Sequence, residues 1–308
     1  MMDNFLHEFK DAWRRPNNAL PQIIIINVIV FLVLAVLNVF GKIFGFSVIS
    51  DFVYDQFSIP PLFADFILRP WTLITYAFAH SLSSIFHILF NMLVLYWFGK
   101  LIVEYIGNQK LINLYVVGAL AGGLLYLFVY NFVPFYAENS NFHGMVGASA
   151  AVYAITVAAA TLAPNYTFFL LFFGPVKIKY IAGFYIVISF LGSVGGNAGG
   201  NIAHLGGALM GYVYIKQLQS GTDWGAWVGA VMRFFKSFFV SQPKMKVSSN
   251  QKRTKSYSTA SSTKSSSTAS NIADQAEIDK ILDKISQSGY ESLSKEEKQK
   301  LFNASKKG

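Results

Sequence analysis

The sequence predicts an all-α membrane protein, a bundle of six transmembrane helices followed by a tail of different character. Three observations predict it. Of the 308 residues, 53% are hydrophobic and only 13% are charged, whereas a soluble domain gives about a quarter of its residues to charge; too few polar side chains remain to cover a globule, so lipid must cover the rest. The apolar runs lie in the first ~240 residues, and six of them approach the ~20 residues that a helix needs to cross the bilayer. Lys and Arg gather at alternate ends of these runs, as membrane insertion requires.

Residues 1–20 mix Asp3, Glu8 and Asp11 with Lys10, Arg14 and Arg15 and carry no small-residue cleavage site. They read as an N-terminal segment, not as a signal peptide. The spans follow at about 22–41, 84–106, 110–133, 149–163, 178–195 and 201–218, with Pro21, Pro134 and Pro164 punctuating their ends. Six spans put both termini on one side, and that side receives Lys100, Lys110, Lys177, Lys179 and Lys216, while the other receives only Lys42 and Arg69 among several acids. The basic side is expected to be cytoplasmic, in a bacterial inner (plasma) membrane. The loop 47–83, rich in Phe, Leu and Pro, is expected as a structured element in the outer interface. The stretch 166–175 either extends the fifth span or lies at the interface.

A membrane domain over 21–220 is thus followed by an amphipathic interfacial segment over 221–240, where Trp224, Trp227, Phe234, Phe235 and Phe238 mix with Arg233 and Lys236. A Ser/Thr/Lys-rich linker over 241–270 is expected to be disordered. In 271–308, Ile278, Ile281, Leu282 and Ile285 mark one helical face, and Ser294 with Glu297 forms a capping box opening a second helix. This small hairpin is either a docking module for a cytoplasmic partner or a solvated end.

Several functions are excluded. The absence of Cys removes thiol catalysis and disulfides. The formal charge of +9 sits in the tail and at span ends, which assigns it to orientation and an anionic leaflet and not to nucleic acid. No HExxH motif is present, no carboxylate lies deep in a span, and neither a metal nor a cofactor is expected.

What remains polar inside the spans lies at one depth. His87 enters the second span about one turn from its outer end, with Asn91 one turn further on the same face; Ser149 opens the fourth span, and His204 lies about one turn into the sixth. Polar groups at that depth are expensive and each needs a reason. The fourth span is short, so it starts below the outer surface and its preceding loop, 134–148, must dip to meet it, which requires a protein-lined or watery cavity. Ala150, Ala154 and Ala158 on the fourth span, and Gly207 and Gly211 on the face of His204, let two helices approach closely. A Ser hydroxyl and a neutral His then make a nucleophile and its base. His87, Asn91 and the backbone N–H of Ser149 are the candidate donors to an oxyanion. With no acid available the pair is a dyad, and Tyr153, one turn beyond Ser149, is placed to pack on the imidazole. His80 and His143 fall in outer loops as supporting or solvated residues.

HisIleLeuPheAsn at 87–91, GlyAlaSerAla at 147–150 and AlaHisLeuGlyGlyAlaLeuMetGly at 203–211 occur in that order. With these motifs the chain resembles the rhomboid intramembrane serine proteases across about 200 residues. The resemblance implies a six-helix rhomboid-like fold, Ser149 as nucleophile, His204 as base, His87 and Asn91 in the oxyanion hole, and transmembrane segments of other proteins as substrates. Gly147, Gly207 and Gly211 belong to the same motifs as supporting residues. Three departures stand out: Thr72 where an Arg usually follows ProTrp, Ala150 where Gly usually follows the serine, and Glu104 three residues before Gly107 where the family commonly has four. The alternative is a rhomboid-like protein without activity that binds transmembrane clients and routes them.

Overall fold

The computed structural model describes residues 18–138, 144–170, 173–239 and 269–305. It falls into two compact units, residues 1–243 and 244–308. In the first, α1 (Ala19–Phe44) is followed by three short helices, α2 (Ser47–Asp55), α3 (Phe63–Leu68) and α4 (Thr72–Thr75), and a 3₁₀ turn (Tyr76–Phe78). Then come α5 (Ile85–Ile106), α6 (Asn108–Phe132), α7 (Pro134–Glu138) and α8 (Ser149–Leu162). A hairpin of β1 (Thr167–Leu170) and β2 (Gly174–Lys177) leads to α9 (Ile178–Gly192), α10 (Ala198–Gln219) and α11 (Ala226–Phe239).

Three of the described helices, α1, α5 and α6, are long and apolar enough to cross a membrane. Helices α8 and α9 are apolar but shorter, at 14 and 15 residues. Helix α10 is long but carries Asn201, His204, Lys216 and three glutamine or serine neighbours at its end, which lowers its apolarity. The helix bounds lie within a few residues of the expected spans. Pro21 falls inside the first turn of α1, where its missing N–H has no partner to lose, so that helix starts before the proline.

Helix α8 is the centre. Ten of its residues are buried, among them Ala150, Ala151, Ala154, Ile155 and Ala158, and a helix apolar all round belongs in an interior. Helices α5, α6, α9 and α10 pack around it. Helices α1 and α9 are peripheral: Ile29, Leu32, Val33 and Val36 of α1, and Phe184, Val187 and Phe190 of α9, are exposed.

The loop 47–83 is structured, as expected. Apolar side chains of its short helices, including Phe52, Ile67, Leu68 and Trp71, face outward. Underneath, Tyr115 donates its hydroxyl to the Ala77 carbonyl at 2.6 Å while Asn27 donates to that hydroxyl oxygen at 3.0 Å; Tyr76 donates to the Ala119 carbonyl at 2.6 Å. These bonds tie the 3₁₀ turn to α1 and α6. The stretch 166–175 does not extend the helix that follows it: Thr167 pairs with Lys177 and Leu170 with Gly174 across an antiparallel hairpin, with Phe169 and Phe173 exposed. Beyond α10, Lys110 pairs with Asp223, which also accepts from the Tyr214 hydroxyl at 2.9 Å and the Gly225 N–H at 3.0 Å. This places α11 with Val228 inward and Trp227, Phe234, Phe235 and Phe238 exposed.

The second unit pairs α12 (Ala269–Ser288) with α13 (Lys295–Ser305). The capping box is formed by the Ser294 N–H donating to Glu297 Oε2 at 2.7 Å and the Glu297 N–H to Ser294 Oγ at 3.3 Å. Ile281 and Leu293 are buried, but Leu282 is exposed, because a residue one step from Ile281 turns about 100° away from the seam. Most of the expected N-terminal segment and of the 241–270 linker lies outside the described residues, as does His143.

Candidate active site

Ser149 is the first residue of α8. At about 1.5 Å per residue this helix spans roughly 21 Å, less than a ~30 Å hydrocarbon core. The entering backbone is held by two loop contacts: the Met145 N–H donates to the Ile59 carbonyl at 2.9 Å, and the Gly147 N–H donates to the Tyr76 carbonyl at 2.9 Å. Gly147 has φ 143°, and a Cβ there would sit 3.2 Å from the His87 ring. Only glycine makes this entry without strain.

His204 is the seventh residue of α10, nearly two turns in, because α10 begins a turn earlier than the sequence suggests. Its Nε2 lies 2.8 Å from Ser149 Oγ. The closeness of the two helices makes this distance attainable. A Cβ on Gly207 would collide with the backbone of Ala150, and one on Gly211 with the backbone of Ala154; the glycines let α10 lie directly on α8. The methyl of Ala150 faces Gly122 of α6, where a Cβ would collide with it. The extra methyl is therefore absorbed by a gap on the neighbouring helix.

Two groups hold the imidazole. The Tyr153 ring stacks on it, centroids 4.2 Å apart and planes 13° apart. Ser189 of α9, fully buried, places Oγ 3.1 Å from His204 Nδ1 and donates its hydroxyl to Tyr153 at 2.9 Å.

Opposite, His87 is the third residue of α5. The Ser81 N–H donates to His87 Nδ1 at 3.2 Å, so the proton of a neutral ring is on Nε2, the nitrogen on the Gly147 side of the ring. Asn91 donates one amide hydrogen to the His87 carbonyl at 2.8 Å and keeps a second for another acceptor. Ser149, His204, His87, Asn91 and Tyr153 line one cavity of about 380 Å³. His87 and Ser84 also line a larger one of about 750 Å³, walled by Tyr126, Tyr130 and Tyr136. His80 is buried edge-on to His87, ring centroids 5.2 Å apart. Burial and then His87 push its pKa down to about 3, so it packs as a neutral ring. Among the described residues no group of three His, Cys, Asp or Glu converges to hold a metal ion.

The structure therefore brings Ser149, His204, His87, Asn91 and Tyr153 together, with Gly147, Gly207 and Gly211 at the contacts that permit it. Ser189 was not singled out from the sequence. Its only signal there is a polar residue on an apolar helix, in the run TyrIleValIleSerPhe at 185–190, and a lone Ser in such a helix usually bonds its own backbone.

A half-buried Ser–His pair on glycine-packed helices, set among membrane-length helices, defines the class: a helical membrane protein of intramembrane protease-like fold. A family model described as "Rhomboid domain" matches residues 68–220, and a second, described as a family of unknown function (DUF6576), matches 269–307. The chain is 36% identical over 163 residues to RHOMBOID-like protein 12, mitochondrial, of Arabidopsis thaliana, covering 50% of this chain and 48% of that protein. It is 31% identical over 159 residues to Rhomboid protein 1, mitochondrial, of Saccharomyces cerevisiae, covering 49% and 42%. To Rhomboid-like protein 16, chloroplastic, of Arabidopsis thaliana, it is 28% identical over 167 residues, covering 50% of each. The chain belongs to the rhomboid family. It spans about half the length of these curated relatives. The expected bacterial inner membrane is corrected by them: these relatives are mitochondrial and chloroplastic, which points to an organellar membrane.

Proposed function

We propose that this protein is an intramembrane serine endopeptidase that cleaves transmembrane segments of other membrane proteins, in an organellar membrane. The single observation that carries the reading is the 2.8 Å contact between Ser149 Oγ and His204 Nε2 inside a protein-lined cavity. His204 takes the hydroxyl proton as Ser149 Oγ attacks the scissile carbonyl, and returns it to the leaving amine. The oxyanion is met by His87 Nε2–H, the second amide hydrogen of Asn91 and the Ser149 N–H, all donors fixed before the substrate arrives. Water then hydrolyses the acyl-enzyme, with His204 again as base.

In this reading six helices, α1, α5, α6, α8, α9 and α10, make the membrane domain over 21–220. Segment 221–240 lies on the bilayer surface, and the hairpin in 271–308 docks a partner or regulates.

The test is cleavage of a transmembrane peptide by the purified protein in liposomes, with Ser149→Ala as control. Cleavage by the wild type and none by Ser149→Ala is expected. Equal cleavage by both, or by neither, overturns the reading.

A further inference from the structure

The dyad has a third partner that its two helices do not supply. Ser189 is the one buried polar side chain of α9 and is fully enclosed. Its Oγ lies 3.1 Å from His204 Nδ1, and its hydroxyl donates to the Tyr153 hydroxyl at 2.9 Å.

The donors and acceptors admit one consistent direction. For His204 to act as base, Ser149 must donate into Nε2, so the ring proton of the neutral imidazole is on Nδ1. Nδ1–H then donates to Ser189 Oγ, and Ser189 spends its own proton on Tyr153. Each atom does one thing: Ser149 O–H to Nε2, Nδ1–H to Ser189 Oγ, Ser189 O–H to the Tyr153 oxygen. The Tyr153 ring meanwhile lies flat on the imidazole at 4.2 Å. One residue thus sets both the tautomer of His204 and, with Tyr153, its rotation.

We infer that Ser189 is a positioning residue for the Ser149–His204 reaction, holding His204 in its Nδ1–H tautomer and accepting a hydrogen bond that strengthens when the ring becomes positive. This rests on the proteolytic reading above. A serine does not become charged here and removes no proton from the ring; it occupies the site where a carboxylate would otherwise orient the histidine. Because the acceptor is neutral, its contribution is that of one hydrogen bond to a group that is charged only in the transition state.

The experiment compares the full-length wild type, Ser189→Ala, Ser189→Thr, Tyr153→Phe and the Ser189→Ala/Tyr153→Phe double variant in liposome cleavage of one transmembrane peptide, each with its melting temperature. Ser189→Ala is expected to lower kcat about tenfold or more with KM changed less than about threefold, since the bond is worth most in the transition state. Ser189→Thr, which keeps the hydroxyl, restores most of the rate. Tyr153→Phe keeps the ring stack but removes the acceptor, and its effect is less than additive with Ser189→Ala because both act through one chain.

A wild type that cleaves alongside a Ser189→Ala that cleaves equally fast overturns this inference alone. So does a Ser189→Ala loss that appears as a raised KM or tracks a collapsed melting temperature while the double variant is simply additive. A wild type that does not cleave at all overturns the proteolytic reading, and this inference with it.

Discussion

At the scale of single residues, the site depends on which nitrogen of each histidine holds its proton. In the proposed reaction His204 and His87 hold opposite tautomers. The Ser81 N–H fills Nδ1 of His87 and leaves Nε2 as a donor, while hydroxyls of Ser149 and Ser189 meet the two nitrogens of His204, and the proposed base role requires Nε2 to accept. In the proposed reaction these two identical side chains take opposite roles, base and oxyanion donor. A donor aimed at developing charge acts in the transition state, so His87→Ala is expected to lower kcat by about a hundredfold or more with little change in KM. Steady-state cleavage of a transmembrane peptide checks it, and a variant that loses affinity at unchanged kcat would reassign His87 to substrate binding. His87, Asn91, Ser149 and His204 are all legible in the sequence, because an intramembrane polar residue has to be explained. Ser189 is not, because nothing in the linear order of α9 says that its hydroxyl faces another helix instead of its own backbone.

At the scale of elements, the decisive feature is the seam between α8 and α10. A Cβ at Gly207 meets backbone atoms of Ala150, which cannot rotate away. Gly207→Ala must therefore push the helices apart, costing about 1–3 kcal/mol, and the displaced imidazole should lower cleavage about tenfold or more. Gly183→Ala on α9 is the control, since a Cβ there meets nothing within 4 Å. Melting temperature and cleavage rate together check the pair, and equal behaviour of the two variants would refute the seam argument. The small residues on both helices were readable as a contact stripe. The hairpin at 167–177 was not, since a short aromatic run has no periodicity to separate strand from helix.

A second element-scale contact is testable by pH. Burial works to raise the Asp223 carboxyl pKa, but donation from Lys110, the Tyr214 hydroxyl and the Gly225 N–H outweighs it and holds the group below the usual carboxylate range. A depressed folded-state pKa contributes stability that is complete above the unfolded value of about 4 and is lost as pH falls through the folded one. The melting temperature is expected to stay level from neutral pH to about pH 5 and then decline. Asp223→Asn should lower it at neutral pH and remove that part of the acid decline. A variant that melts like the wild type across the whole range would show that the Lys110 pair contributes nothing to the fold.

At the scale of the whole molecule, the chain divides into a unit over residues 1–243 and another over 244–308, each with its own matched family model. The seam, the loop contacts and all of the residues around Ser149 belong to the first. Removal of residues 244–308 is therefore expected to leave cleavage of a transmembrane peptide within about twofold of the full chain, as for a domain that folds on its own core. Purified truncated protein in liposomes checks this. A larger loss would give the tail a part in the reaction or in the stability of the membrane unit.

The amino-acid order by itself pointed to a helical membrane protein, to where the long helices run, and to Ser149, His204, His87 and Asn91 as polar residues near the ends of three of them. Those are consequences of composition and of a fixed rise per residue, which act along the chain and need no partner. The tertiary structure alone decided which partner meets each nitrogen of the two histidines, that α9 contributes Ser189 to His204, and that Gly122 makes room for Ala150. Hydrogen-bond direction and close packing are relations between residues far apart in the chain, and they come into being only when the helices meet.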